Sequence, residues 1–173
     1  APEFPLARGW ERQTDRGLNP LFYTPELDPG RYRRWLDRFA VGYVALPETE
    51  LDYAGEKEAA LIRDGLPYLK EIPVGGQWRL FRVLGATPMV DPPARLTALD
   101  TAGFTVAAPV AGDYLVRIRS NPYWRITAGS GCVAEGRSGW TAVTLDRPGQ
   151  LTVTADFRPG ARFGGDRNCR PER

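Results

Sequence analysis

The side chains able to do chemistry in this chain are its carboxylates and its aromatic rings, because it contains no histidine. Without imidazole, Ser-His-Asp and Cys-His arrangements are excluded, as is any histidine-based metal site. Among the 21 acidic residues, Glu48, Glu50 and Asp52 cluster, and paired carboxylates hydrolyse glycosides when held at the right separation. These three fall in a stretch that reads as a solvated loop, and sequence spacing does not report that separation. No glycine-rich phosphate loop precedes a helix: Gly75-Gly76 joins two strands, and Gly129-Ser130-Gly131 lies between strands. No catalytic residue, metal or cofactor is assigned.

The aromatic residues say more. There are five tryptophans: Trp10, Trp35, Trp78, Trp124 and Trp140. Trp35 sits on an apolar helical stripe and reads as core, and Trp78 opens a strand as either core or edge. Trp124 and Trp140 flank a bend and the loop around Cys132, close to Tyr123, Asn121 and Arg125. Exposed rings beside an amide and a guanidinium can stack on the C–H face of a sugar and hydrogen-bond its hydroxyls. The competing role is packing, in which the same rings plug the end of a β-domain. Tyr123, Trp124, Trp140, Asn121 and Arg125 are therefore the candidate carbohydrate-binding residues.

The element that must position them is the stretch from Gly112 to Thr127. Tyr114, Val116 and Ile118 alternate with Leu115, Arg117 and Arg119, a strand with one buried face. Pro122 has no N–H to give a ladder, so the run must bulge or bend there before resuming at Tyr123 and Trp124.

Before that stretch, residues 1–27 read as an irregular lead-in with dispersed aromatics. Asp28 is an N-cap candidate and Pro29 suits the first helical position. Tyr32, Trp35, Leu36 and Phe39 then recur at helical spacing. The arginines on the opposite side of that helix read as a solvated face. A short apolar strand, Val41 to Leu46, precedes a second helix from about Gly55 to Asp64. Tyr68–Ile72 and Gln77–Val83 form a hairpin across Gly75-Gly76. Residues 28–86 thus predict a small α/β layer of two helices and about three strands. Composition shifts between Gly85 and Pro93, and residues 94–158 read as five or six strands forming an antiparallel β-sandwich. Residues 159–173 are a polar tail. The expected fold class is α+β, this α/β layer followed by the β-sandwich.

A chain of 173 residues, 42% hydrophobic and 25% charged, is globular and long enough for a real core. A net charge of +2, with scattered arginines, argues against nucleic acid as a partner. The longest apolar run, Phe39 to Leu46, is too short to cross a bilayer. The start at Ala1-Pro2-Glu3 reads as a mature product or a piece of something longer. The two cysteines, Cys132 and Cys169, either form one disulfide in an oxidising compartment, tethering the polar tail, or are two unrelated thiols.

Several segments together resemble a known family. Pro122-Tyr123-Trp124, a glycine-rich loop, Gly139-Trp140-Thr141-Ala142-Val143 and Asp146-Arg147-Pro148-Gly149-Gln150-Leu151-Thr152-Val153 resemble the carboxy-terminal pattern of polytopic bacterial membrane proteins. These are the GT-C glycosyltransferase and YfhO-like groups. Leu6 to Gln13, Asn19-Pro20-Leu21-Phe22-Tyr23, Tyr32 to Leu36 and Val41 to Pro47 are similar to actinobacterial members, so the likeness covers nearly the whole chain. The chain departs from the YfhO-like form in carrying Tyr123 where glycine separates the Pro and Trp.

The resemblance implies a non-catalytic extracytoplasmic domain of a membrane glycosyltransferase-like protein, at the outer face of the cell membrane, with the catalytic acid in an extracytoplasmic loop among the early spans and so outside this chain. It implies as partners the parent's own transmembrane region and a cell-envelope glycan or polyprenyl-linked sugar, which the domain binds or orients. Two other readings stand beside it. One is a structural domain packing on its own membrane region or a partner, and the other is a secreted carbohydrate-binding module.

Overall fold

The computed structural model describes residues 5–8 and 12–157. The chain divides between Thr87 and Pro88 into two compact units, inside the stretch where composition changes.

The first unit holds α1 (Arg12–Leu18), a 3-10 turn (Pro20–Tyr23), α2 (Pro29–Arg38), β1 (Tyr43–Pro47), α3 (Tyr53–Arg63), β2 (Leu69–Ile72) and β3 (Trp78–Val83). Helix α2 starts where its sequence allows. The Asp28 carboxylate accepts the Arg31 N–H at 2.8 Å, and Pro29 fills a position whose N–H would be unpaired in any case. Helix α3 is capped by Asp52, which accepts from Ala54 and Gly55, and it stops at Gly65, whose φ of +88° is a left-handed conformation suited to glycine. The sheet order is β1-β3-β2, with both outer strands antiparallel to β3. β1 and β2 therefore run the same way on either side of β3, and α3 carries the chain between them. Phe22, Tyr32, Trp35, Leu36, Val44, Leu46, Ile62, Phe81 and Val83 form the core. Val44 and Leu46 face inward because alternate residues of a strand share a face.

The second unit has no α-helix among its described residues. Its strands are β4 (Arg95–Leu99), β5 (Gly103–Ala108), β6 (Gly112–Arg119), β7 (Trp124–Ala128), β8 (Gly131–Glu135), β9 (Trp140–Leu145) and β10 (Gly149–Ala155). They form one sheet in the order β4-β5-β10-β7 and a second in the order β6-β9-β8. Phe104, Val106, Leu151 and Val153 from the first meet Tyr114, Val116, Val143 and Leu145 from the second in one core. The chain changes sheet after β5, β6, β7 and β9, a winding like that of a jelly roll lacking one hairpin.

These observations correct the expected fold class. The described chain is mostly β, with ten strands in three antiparallel sheets against helices of only 7, 10 and 11 residues. An α/β layer followed by a β-sandwich does not describe it. The early strands make no adjacent parallel pair, since β3 inserts between β1 and β2. The strand reading of residues 112–127 also changes: Pro122 ends one strand, and β6 and β7 lie in different sheets. The lead-in is not wholly irregular, since α1 and the 3-10 turn lie within it. They are too short for apolar periodicity to show, so hydrophobic patterning does not reveal them.

Candidate ligand-binding site

The turn between β6 and β7 builds the corner where most of the candidate residues meet. The Asn121 side-chain oxygen accepts the Tyr123 N–H at 2.9 Å, and the Asn121 carbonyl accepts the Trp124 N–H at 3.0 Å. This side-chain and backbone turn suits Asn, and Pro122 supplies its fixed φ. The Asp156 N–H donates to the Tyr123 carbonyl at 2.9 Å, tying the end of β10 to the corner.

The rings at this corner divide into two kinds. Trp124 packs edge-on against Phe104, with centroids 5.5 Å apart, and its Nε1–H donates to the Arg119 carbonyl at 3.3 Å. Trp140 is only 5% exposed, and the Arg119 guanidinium lies 4.3 Å over its ring. These two tryptophans carry the packing role. Tyr123 is half-buried and its ring is tilted against Phe157 at 5.1 Å, while Phe157 is 70% exposed. The outward-facing aromatic surface is therefore Tyr123 with Phe157.

Arg125 lies between these groups. Its Nη1 donates to the Trp124 carbonyl at 2.6 Å and the Pro122 carbonyl at 3.2 Å, whereas Nη2 is buried without a hydrogen-bond partner. An unpaired donor on a cation is costly, so this guanidinium gains from turning its enclosed nitrogen outward to an acceptor. Arg125 pairs in register with Thr154. Nearby hydroxyls bond each other across the sheet, Thr105 to Thr152 at 3.1 Å and Thr127 to Thr154 at 3.2 Å.

Sequence reasoning did not single out Phe157. Alternation along Leu151, Val153, Ala155 and Phe157 reads it as inward, but β10 ends at Ala155 and the ring falls beyond the sheet's regular pleat. Cys132 on β8 is disulfide-bonded. Cys169, its expected partner, lies outside the described residues, as does Trp10.

Asp52 is the cap of α3, while Glu48 and Glu50 are exposed. Among the described residues no three His, Cys, Asp or Glu side chains are grouped to hold a metal ion.

A buried polar network lies in the first unit, and no sequence signal announced it. Asp15, 2% exposed, accepts from Arg8 at 3.0 Å, Asn19 at 2.8 Å and Tyr23 at 2.7 Å. Arg8 also reaches Glu58 at 2.6 Å, and the Tyr32 hydroxyl donates to the other Glu58 oxygen at 2.6 Å. The Asn19 carbonyl oxygen accepts from Trp35 Nε1 at 2.9 Å, and Arg8 stacks 3.8 Å over Phe22. Burial pushes the Asp15 carboxyl up, but hydrogen bonds from Arg8, Tyr23 and Asn19 and the Arg8 charge outweigh it and hold the group below the usual carboxylate range. Burial, then the Glu58 carboxylate, drives the Tyr32 phenol far above its ordinary value. Each side chain in the network makes at least one hydrogen bond within it, and the single Arg8 charge is shared between both carboxylates. This is the arrangement of a structural clamp.

No family model, curated protein or solved structure matches the chain. Among the described residues no helix is long and apolar enough to cross a membrane.

Proposed function

We propose that the chain is a non-catalytic extracytoplasmic domain of a membrane glycosyltransferase-like protein, and that it binds a cell-envelope glycan or lipid-linked sugar at the β6–β7 corner. The observation that carries the binding is the outward Tyr123–Phe157 ring pair, next to the Arg125 guanidinium, whose enclosed and unpaired nitrogen meets a sugar hydroxyl once the side chain turns outward. A sugar offers apolar C–H faces to such rings and hydroxyl acceptors to such a cation. Trp124 and Trp140 hold the corner in shape from beneath, and Asn121 fixes the turn. The extracytoplasmic placement and the parent's chemistry rest on the sequence resemblance. The Cys132 disulfide is consistent with an oxidising compartment.

The experiment is an affinity measurement against a panel of cell-envelope oligosaccharides, with the wild-type chain beside Tyr123→Ala and Phe157→Ala. Loss of one stacking ring is expected to weaken binding about tenfold or more, a little over 1.4 kcal/mol. Both variants should keep the wild-type circular dichroism, since Phe157 is exposed and Tyr123 half-buried. Wild-type affinity in both variants, or no binding across the panel, would overturn the reading.

A further inference from the structure

The helices and the core lie on one side of the β1-β3-β2 sheet, and its other face has a composition that the core does not account for. Phe81 and Val83 point inward with Val44 and Leu46, so the register assigns Tyr43, Ala45 and Pro47 of β1, with Trp78, Leu80 and Arg82 of β3, to the opposite face. Lys70 and Ile72 of β2 join them, opposite Arg82 and Leu80. The face thus has three rows. One end carries Tyr43, Arg82 and Lys70. The middle is Ala45, Leu80 and Ile72, and the far end is Pro47 with Trp78. Trp78 is 54% exposed and Tyr43 60% exposed.

We propose that this face docks onto the surface of an anionic lipid bilayer. The chemistry of the rows favours that occupant. Trp78 and Tyr43 are amphipathic rings, and neither the indole N–H nor the phenol hydroxyl has a hydrogen-bond partner among the described residues. Such rings settle where an apolar body and a wet polar tip are both satisfied, at the headgroup level of a bilayer. Arg82 and Lys70 make no ion pair among the described residues, and no acidic residue stands in the three rows. Glu71 of β2 is paired with Arg79 at 2.8 Å on the other side of the sheet. The charge on the face is therefore complementary to anionic headgroups.

Size argues against a protein occupant. Three strands about 4.8 Å apart, used over about five residues of about 3.3 Å each, give a flat footprint of roughly 250 Å², before the relief of the side chains standing on it. A stable protein interface needs about 800 Å² from each partner. A bilayer needs no such complementarity, because it conforms to whatever apolar and cationic surface is offered. The inference is independent of the glycan reading: it uses the other unit and none of the same residues.

The test is co-sedimentation of the intact chain with vesicles of phosphatidylcholine alone and of phosphatidylcholine with phosphatidylglycerol. Lys70→Gln/Arg82→Gln, Trp78→Ala and Phe157→Ala are run beside the wild type. All the substituted side chains are exposed, and circular dichroism checks that each variant is folded. Binding is expected only with phosphatidylglycerol and should weaken as salt rises. Each cation contributes about a fivefold factor, so the double variant should bind about 25-fold more weakly. Trp78→Ala should also bind more weakly, and Phe157→Ala should match the wild type. The proposal is overturned by absence of sedimentation with phosphatidylglycerol or by wild-type binding in the double variant. It is equally overturned if the chain self-associates through Trp78 and ignores both vesicle types, which would make the face a contact between copies.

Discussion

Replacing Asp15 by alanine should destabilise the first unit far more than a surface substitution would. The carboxylate accepts side-chain hydrogen bonds from three residues, two from Arg8 and one each from Asn19 and Tyr23, and it is 2% exposed. A hydrogen bond to a charged group is worth about 1.5–3 kcal/mol. Two discounts apply. The Arg8 side chain is 22% exposed and keeps Glu58 as a partner, and Tyr23 can turn its hydroxyl to water. Asn19, as buried as Asp15, cannot rehydrate. Counting one full contribution for Asn19 and reduced ones for Arg8 and Tyr23 gives a loss of about 3–4 kcal/mol. Urea denaturation at neutral pH reads this directly: with m of about 1–3 kcal/mol/M, the midpoint should fall by at least about 1 M at unchanged m. Hydrogen exchange should show protection falling in α2 and α3 and unchanged in β5 and β10. A loss below about 1 kcal/mol, or one spread evenly over both units, would refute the clamp.

The same residue sets an acid limit. Because the folded Asp15 value is depressed, its stabilisation is complete above the unfolded value near ~3.9 and disappears as pH falls through the lower folded value. Urea midpoints across acid pH should therefore decline more steeply for the wild type than for Asp15→Asn. Asp28→Ala removes the α2 cap and should cost about 1 kcal/mol, read as a shift in urea midpoint; no shift would mean the Arg31 N–H finds another acceptor. Trp124→Ala empties the edge contact with Phe104 and should cost about 2–4 kcal/mol. Intact mass before and after reduction should show the disulfide at Cys132 as a gain of two hydrogens, and an unchanged mass would contradict it.

What the sequence made legible follows its short-range physics. The cap at Asp28, the stripe of Tyr32, Trp35 and Leu36, and the β2–β3 hairpin are local, and each was readable from spacing. The alternation of Leu151 and Val153 likewise marks the inward face of β10. The global class was not legible, because strands read from local alternation do not show how they pair: β3 lies between β1 and β2, and β5 pairs with β10 across a long separation. Two features of the corner also depend on tertiary contacts. Trp140 is covered by Arg119 from the neighbouring strand, 21 positions earlier in the numbering of the sequence, and Phe157 escapes the pleat only because β10 stops two residues before it. The Asp15 clamp joins residues from Arg8 to Glu58 with no periodic pattern at all. A buried carboxylate looks like any other aspartate until its partners are placed around it.

The central claim is that the β6–β7 corner recognises a sugar. The most direct test is a 1H–15N titration of the labelled chain with a cell-envelope oligosaccharide that it binds, mapped onto assigned resonances. The account predicts saturable shifts at Tyr123, the Arg125 side chain and Phe157, with little change in the first unit. Shifts centred elsewhere, or a spectrum indifferent to every envelope glycan tried, would contradict it.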